Sequence, residues 1–559
     1  MDFQFDLQNA MFSYGDFSFD GFSSTDKSMN RMEDSQVCVY GGEDLGEHGF
    51  YLQEQQQQQP FSPYDLLHDL PYEVVSPPIE SSLEEITKFG EIPTGISVVE
   101  AQKDKKYPFS LAALGLLNNH GSGLKRLKGD RVIMLSNIDG ENCTEVAGRK
   151  FSTEEILRIA GEKFVQTSSQ AANHPFEWSF SGLSIEETKD VQLVEWLLAS
   201  AEKVGCQQYE RAIRLLNQCN CLVVYYFCEA LRNKIDRETG RLPSKGMRNE
   251  QFFDIDKAMM VPDAPKLAFH LGLPFSQSEK FAGIQAIIEN VSGARRVHVI
   301  DLRLANGVQW IPLMQALASR HDCPIDLLKI TAIGTTSKHL MEEIGKWLSS
   351  FAHTMNIPFS FKIVMVSEKL ELHEDLFEID DDETVAVYSS LFLRSMLSQP
   401  GQLETLMRGI KNISPCVMVV TEVEANHNSP VFVNRFIEAL FFYGVLFDSF
   451  ATSMNQDHEN RMVVEGQYCF EAIKSIVAAE GEERKIRNVK IDVWRAFFAR
   501  FGMEEAELSP SSLFQANQIP KNFSCGKYCT ISINEKCLLM GWKGTPLQSL
   551  SVWKFTQEL

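Results

Sequence analysis

RVHVIDL (296–302), DLLKITAIG (326–334), FKIVMV (361–366), TVAVYS (384–389) and CVMVVTEVE (416–424) are short, almost unbroken apolar runs rich in β-branched residues. Helical stretches separate them, including GVQWIPLMQALASR and HLMEEIGKWLSSFAHTM. A strand buried on one face alternates polar with apolar, whereas a strand buried on both faces reads as continuous apolar sequence. Such strands alternating with helices predict a parallel sheet covered on both sides, the doubly wound α/β class. Two later runs, KYCTISIN and KCLLMGW, have a short connection and are expected to pair antiparallel at a sheet edge. This α/β core is expected over residues 291–555.

Upstream the period changes from strand to helix. From Val191 the stretch VQLVEWLLASAEKV places Leu193, Val194, Leu197, Leu198, Ala201 and Val204 on one helical stripe. Ile213, Leu215 and Leu216 mark a second helix, and Tyr226, Phe227 and Leu231 a third. Ser152 followed by Glu155 reads as a capping box, with Ile156, Ile159, Ala160 and Phe164 on one face behind it. Residues 150–290 are therefore expected to form a mainly helical cap. Its stripes are either core of their own domain or a surface for partners.

Residues 1–149 have a different composition. They hold the run Gln55 to Gln59, the segment SPPIE, and acids interleaved with Phe3, Phe5, Phe12, Phe17, Phe19 and Phe22. Such a segment cannot bury enough apolar surface to offset ordering entropy, so disorder is expected. It is an activation-type docking segment or an inert solubilising tail. SLAALGLL (110–117) is expected to become helical on contact, and Lys125-Arg126-Leu127-Lys128 reads as an import signal or a solvated turn.

Charge argues against strong non-specific binding of nucleic acid. The chain carries a formal charge of −22, and residues 1–100 alone have nineteen acids against three bases. An acidic total repels a phosphate backbone. The opening MDFQFDLQNAMFSYGD lacks Lys and Arg and is not expected to be a secretory or mitochondrial leader. No uninterrupted apolar run is expected to cross a bilayer. Of the twelve cysteines, Cys219-x-Cys221 and Cys525-x3-Cys529 form close pairs. Neither has a nearby second pair to complete four zinc ligands, so reduced thiols are expected, with no metal and no cofactor.

In a doubly wound sheet, ligands bind beyond the carboxyl ends of the strands. The first strand ends at Asp301 and runs into LRLANGVQW, where a nucleotide or methyl-donor site needs a glycine-rich turn. Only Gly307 is present, and Leu302, Arg303 and Leu304 bring bulk. The next strand ends in Ile333-Gly334, without an acid to grip a ribose. A second constellation, Glu422, Glu424, Asn426, His427 and Asn428, has the residue types for acid–base work. The same residues at a strand-to-helix junction also serve as loop fasteners and caps, with Asn428 or Ser429 before Pro430 suited to a helix start. No catalytic residue is assigned.

Together these segments resemble the GRAS family of plant proteins. Val297, His298, Val299, Ile300 and Asp301 resemble its VHIID signature. LVEWLLASAEKV, with Leu193, Leu197 and Leu198, resembles the first leucine-rich region, and Leu340, Ile344, Leu348 and Phe351 resemble the second. Pro415, Phe442-Tyr443, and Arg461 with Glu465 resemble the PFYRE elements. Trp542, Ser551, Val552 and Trp553, in GWKGTPLQSLSVW, resemble the SAW motif. The likeness covers about residues 150–555 in the family's order. It departs in carrying no DELLA tract, in reading SVW for SAW, and in a shortened LNQCNCLVVYYFCEAL.

The resemblance implies a Rossmann-like, methyltransferase-like core beneath a helical cap. It implies a nuclear regulator of transcription, closest to DELLA-like members that act in gibberellin signalling. Expected partners are DNA-binding transcription factors and other GRAS proteins, in homo- or hetero-oligomers, with DNA contacted directly or indirectly and no membrane. The alternatives are a small-molecule transferase using the Asp301 and Glu422 region, or an oligomeric scaffold.

Overall fold

A computed structural model describes residues 151 and 153–168, 183–219, 222–241, 263–334, 338–365 and 374–556. The readings made for residues 1–149, and those resting on Ser152 and Cys221, lie outside the described residues.

Four helices come first: α1 (Thr153–Ser168), α2 (Ile185–Gly205), α3 (Tyr209–Leu216) and α4 (Leu222–Glu238). The α2 start carries a true capping box. Ser184 Oγ accepts from Glu187 N, and the Glu187 carboxylate accepts from Ser184 N. Then follow α5 (Asp263–Gly272), α6 (Pro274–Asn290), β1 (Arg296–Asp301), α7 (Trp310–Ala318), β2 (Leu327–Gly334) and α8 (Lys338–Thr354). Next are β3 (Phe359–Met365), β4 (Thr384–Ser390), α9 (Pro400–Ile413), β5 (Val417–Val423) and the long α10 (Phe432–Ser453). The chain closes with α11 (His458–Val463), α12 (Phe470–Ala478), α13 (Ile491–Ala499), β6 (Met503–Ala506), α14 (Pro510–Gln518), β7 (Cys529–Asn534), β8 (Cys537–Trp542) and β9 (Thr545–Phe555).

The strands form one sheet in the order β3-β2-β1-β4-β5-β9-β8-β7, with β6 on β9. β1 to β5 are parallel, and β9, β8 and β7 continue antiparallel. The parallel order reverses between β1 and β4, the place where such sheets open a crevice. Both faces are covered. Val385, Val387, Met418 and Val420 point into a core with Leu406 of α9 and Trp494 of α13. On the opposite face α6 lies so close that a Cβ at Gly283 would sit 3.1 Å from Val419 Cγ1 and 3.3 Å from Leu550 Cδ1.

The cap is not confined to residues 150–290. α10 and α12 join it from the far end of the chain. Phe227 meets Phe436 edge-on at 5.6 Å, and Tyr226 packs on Phe447 at 5.7 Å and Phe470 at 5.2 Å. A 22-residue helix without an apolar stripe can be buried only between other elements, which is where α10 lies. By length and mean composition α10 is apolar enough to cross a bilayer, although Arg435, Glu438 and Asp448 interrupt its apolar run; 78% of its apolar window is buried inside the fold. The expected start of this helix at Asn428 or Ser429 also shifts. Ser429 Oγ accepts from Val431 N at 3.3 Å, and the helix begins at Phe432.

Candidate functional site

A cavity of about 220 Å³ opens between the carboxyl ends of β1, β4 and β5 and the cap. Its floor comes from the turn after β1 (Arg303, Gln309), the end of β4 (Tyr388, Ser390) and Val423 of β5. One wall is α6, with Phe275, Glu279 and Lys280; the roof is α10, with Phe442, Tyr443 and Phe450.

Asp301 organises the floor. Its carboxylate accepts from Arg303 N at 3.0 Å, Gln309 Nε2 at 3.1 Å and Trp310 Nε1 at 3.1 Å. Burial pushes its pKa up to about 6, against those three bonds. With its acceptor sites taken by protein donors, Asp301 fixes the turn. Gly307 in that turn has φ +77°, and a Cβ there would lie 2.8 Å from Ile344 Cγ2 and 3.3 Å from Leu348 Cδ1 of α8. Ile344 and Leu348, which resemble part of a second leucine-rich region, therefore fill the space beside this glycine.

The second constellation does not converge. Glu422 accepts from Arg394 N at 3.2 Å, and Glu424 Oε2 from Ile491 N at 3.0 Å. His427 Nδ1 bonds Asn488 Nδ2 at 2.8 Å, and its ring lies parallel to Tyr443 at 5.9 Å. Asn428 Oδ1 accepts from Arg487 Nη1 at 3.3 Å. Glu424, His427 and Asn428 fasten the loop before α13 to the segment after β5, while Glu422 holds the turn after β4. Burial raises Glu424 to about 7. A carboxyl raised by folding keeps its proton in the native state while the unfolded chain ionises, so its contribution is lost as pH rises from about 4.5 to 7. Glu424→Gln should therefore gain stability over wild type by about 3 kcal/mol across that window. Urea unfolding at several pH values checks this, and parallel curves for the two proteins would refute it.

The motif residues divide between site and scaffold. Phe442 and Tyr443 line the cavity, as do Leu547 and Gln548 just before Ser551, Val552 and Trp553. Arg461 Nε pairs with Glu465 at 3.3 Å across a π-helical turn (Val464–Cys469) that also borders the cavity. Pro415 is at the opposite end of β5. His298 is buried, bonding Glu383 at 2.9 Å and Thr331 at 2.8 Å, and so ties β1 to its neighbours. Leu197, Leu198 and Leu348 are buried, whereas Leu193 and Leu340 are partly exposed. Trp542 Nε1 donates to Asp448 of α10 at 2.8 Å, and Trp553 Nε1 to Ser551 Oγ at 2.9 Å.

Sequence reasoning missed His270, Glu279 and Lys280. The available signal was PFSQSEK at the head of α6, in which every residue from Pro274 to Glu279 is buried despite its polarity. Among the described residues no group of three or more His, Cys, Asp or Glu side chains could hold a metal ion.

The GRAS domain family pattern matches residues 187–554, well over half of the chain. This chain belongs to the GRAS domain family.

Among curated GRAS-related sequences, the DELLA protein GAI1 of Vitis vinifera is 31% identical over 66% of this chain and 62% of its own length. The DELLA protein RGL1 of Arabidopsis thaliana is 32% identical over 67% of this chain and 72% of its own. This GRAS chain thus matches somewhat under two thirds of the first of these relatives. The crystal structure of SCL7 from Oryza sativa superposes with a TM-score of 0.54 at 24% identity, covering 71% of this chain and 98% of that one. The likeness to SCL7 is one of fold.

Proposed function

We propose that this GRAS protein regulates transcription in the plant nucleus by contacting DNA-bound factors, in hormone or developmental signalling. The observation that carries this reading is the occupied cofactor position: Ile344 and Leu348 stand where a methyl donor would approach Gly307. The acids of the transferase alternative, Asp301 and Glu422, accept hydrogen bonds from donors of the chain itself. Partner contacts fall to exposed side chains of the cap, such as Ile185 and Tyr225, rather than to the buried Leu197 and Leu198. Other GRAS proteins are candidate partners through the same surface. The similarity to DELLA proteins supports the signalling context.

Fusing the full chain to a heterologous DNA-binding module should change output from a reporter carrying its site. Unchanged output across several promoters would count against the reading. Direct DNA contact is separated by measuring affinity of the unfused protein over a salt series. A chain of net charge −22 should show weak binding with a shallow salt slope. A steep slope with tight binding would move the function to direct DNA recognition.

A further inference from the structure

The cavity under the cap has no part in a purely surface-borne role. We propose that it binds a small, largely apolar carboxylic acid, with the carboxylate against Lys280 and Arg394 and the body in the aromatic chamber beneath α10.

The wall supplies the apolar part, because Phe269, Phe275, Phe442, Tyr443 and Phe450 surround the space. Ligand sites have this build, an apolar chamber with a few placed polar groups. The polar groups favour an anion. Lys280, Arg303 and Arg394 line the cavity against a single acid, Glu279. Glu279 already accepts from Ser390 Oγ at 3.0 Å and Tyr388 OH at 3.5 Å. Lys280 Nζ is bonded at 3.3 Å to the His270 ring, which burial keeps neutral by holding its pKa well below the usual value. Arg394 donates to the neutral oxygens of Leu391 and Asn488. Lys280 lies near the charges of Glu279 and Asp301, but its hydrogen bond and those of the half-buried Arg394 side chain go to neutral groups, so a carboxylate would strengthen each contact by charge. Burial lowers the Lys280 pKa, and an entering anion would favour its charged form.

Two further observations point to an occupant. Gln309 Oε1 and Gln548 Oε1 are buried at the cavity and have no partner. The Gln309 amide cannot turn to relieve this, because its Nε2 is committed to Asp301. A buried unpaired acceptor costs about 1–3 kcal/mol, so a hydroxyl on the ligand body is favoured there. The π-helical turn at Val464–Cys469 supplies Val464, Tyr468 and Cys469 to the wall, and such turns concentrate at functional sites. A nucleotide cofactor fits poorly, since the cavity wall takes no residue from β2 and the Gly307 turn is filled.

The test is calorimetric titration and thermal unfolding of the full chain with adamantane carboxylic acid, naphthoic acid and cyclohexane carboxylic acid. Adamantane methanol and adamantylamine serve as neutral and cationic isosteres. At least one acid should bind saturably, about ten-fold or more tighter than the alcohol, with the amine weakest. Lys280→Met should abolish the preference for acid over alcohol. Leu446→Trp, which adds bulk to the chamber wall, should abolish binding of both; it and Arg394→Met keep the test intact if Lys280→Met fails to fold. The proposal falls if no acid binds folded wild type, if acid and amine bind equally, or if Leu446→Trp folds and leaves affinity unchanged. Ordered water alone in the cavity of an acid-soaked crystal would also overturn it.

Discussion

Arg435→Ala should destabilise the protein by about 3–5 kcal/mol, the range for removing one member of a buried charged network. Arg435 is fully buried near the start of α10. Its guanidinium donates to Ile476 O at 3.1 Å, to Ser429 O and Pro430 O at 3.0 Å each, and to Glu480 Oε1 at 2.5 Å. Truncation strands these carbonyl oxygens away from water, and each lost partner adds a desolvation penalty. Lysine should not rescue the loss, because a single ammonium cannot reproduce the planar fork. The control is Glu480→Gln. Glu480 is half exposed, its ion pairs with Arg435 and Lys234 are screened, and glutamine keeps the acceptor oxygen, so this change should cost less than about 1 kcal/mol. Chemical denaturation of the three proteins decides it. Equal losses for Arg435→Ala and Glu480→Gln would show that the ion pair, not the carbonyl satisfaction, holds α10.

The parallel half of the sheet was legible because burial on both faces removes any need for alternation. β5 is buried at every position from Val417 to Val423, and the sequence there is apolar except at Thr421 and Glu422. β1, β2 and β4 were read within one residue of their observed ends for the same reason, whereas β3, a half-buried edge strand, was read within two. The antiparallel half was less readable. β9 begins with Thr545-Pro546, and proline ordinarily argues against an internal strand. Yet β9 is the strand that joins β5 to β8, so the two halves could not be connected from sequence. β6, reading MEEA, has little strand character of its own and is held by pairing with β9.

The cap shows a different limit. Apolar residues of α10 occur around its whole circumference, so periodicity assigned it no face and no neighbour. Leu157 of α1 packs against Gly444 of α10, a contact between segments nearly three hundred residues apart that local pattern cannot reveal. The cavity inherits that limit, because its roof is α10 and its wall is α6. What sequence shows locally is that the turn after β1 carries a single glycine, Gly307. What fills the space beside it required α8 in place: Ile344 and Leu348, read only as a leucine-rich stripe, are the side chains that close over Gly307.

Gly541→Ala should cost more than about 3 kcal/mol, at the upper end for overpacking, because the obstacle is backbone. Gly541 pairs with Pro546 where the β8–β9 register shifts between Met540 and Gly541. A Cβ there would fall 2.1 Å from Thr545 O, 2.7 Å from Thr545 C and 2.8 Å from Pro546 Cα. A side chain could rotate away, but a carbonyl in a paired strand moves only if the hairpin opens. Opening it would pull Trp542 Nε1 from Asp448, release the Lys543–Asp448 ion pair at 2.8 Å, and shift Leu547 and Gln548 out of the cavity wall. Gly544, two residues beyond Trp542, is the comparison. Its φ of +92° makes alanine strained, but nothing lies within 4 Å of the added carbon. Gly544→Ala should therefore cost only the left-handed backbone penalty, about 1–2 kcal/mol. Urea unfolding gives the ranking, and near-ultraviolet circular dichroism reports whether Trp542 has moved. If Gly541→Ala proves no worse than Gly544→Ala and leaves the tryptophan signal intact, the close approach of the two strands does not constrain this hairpin.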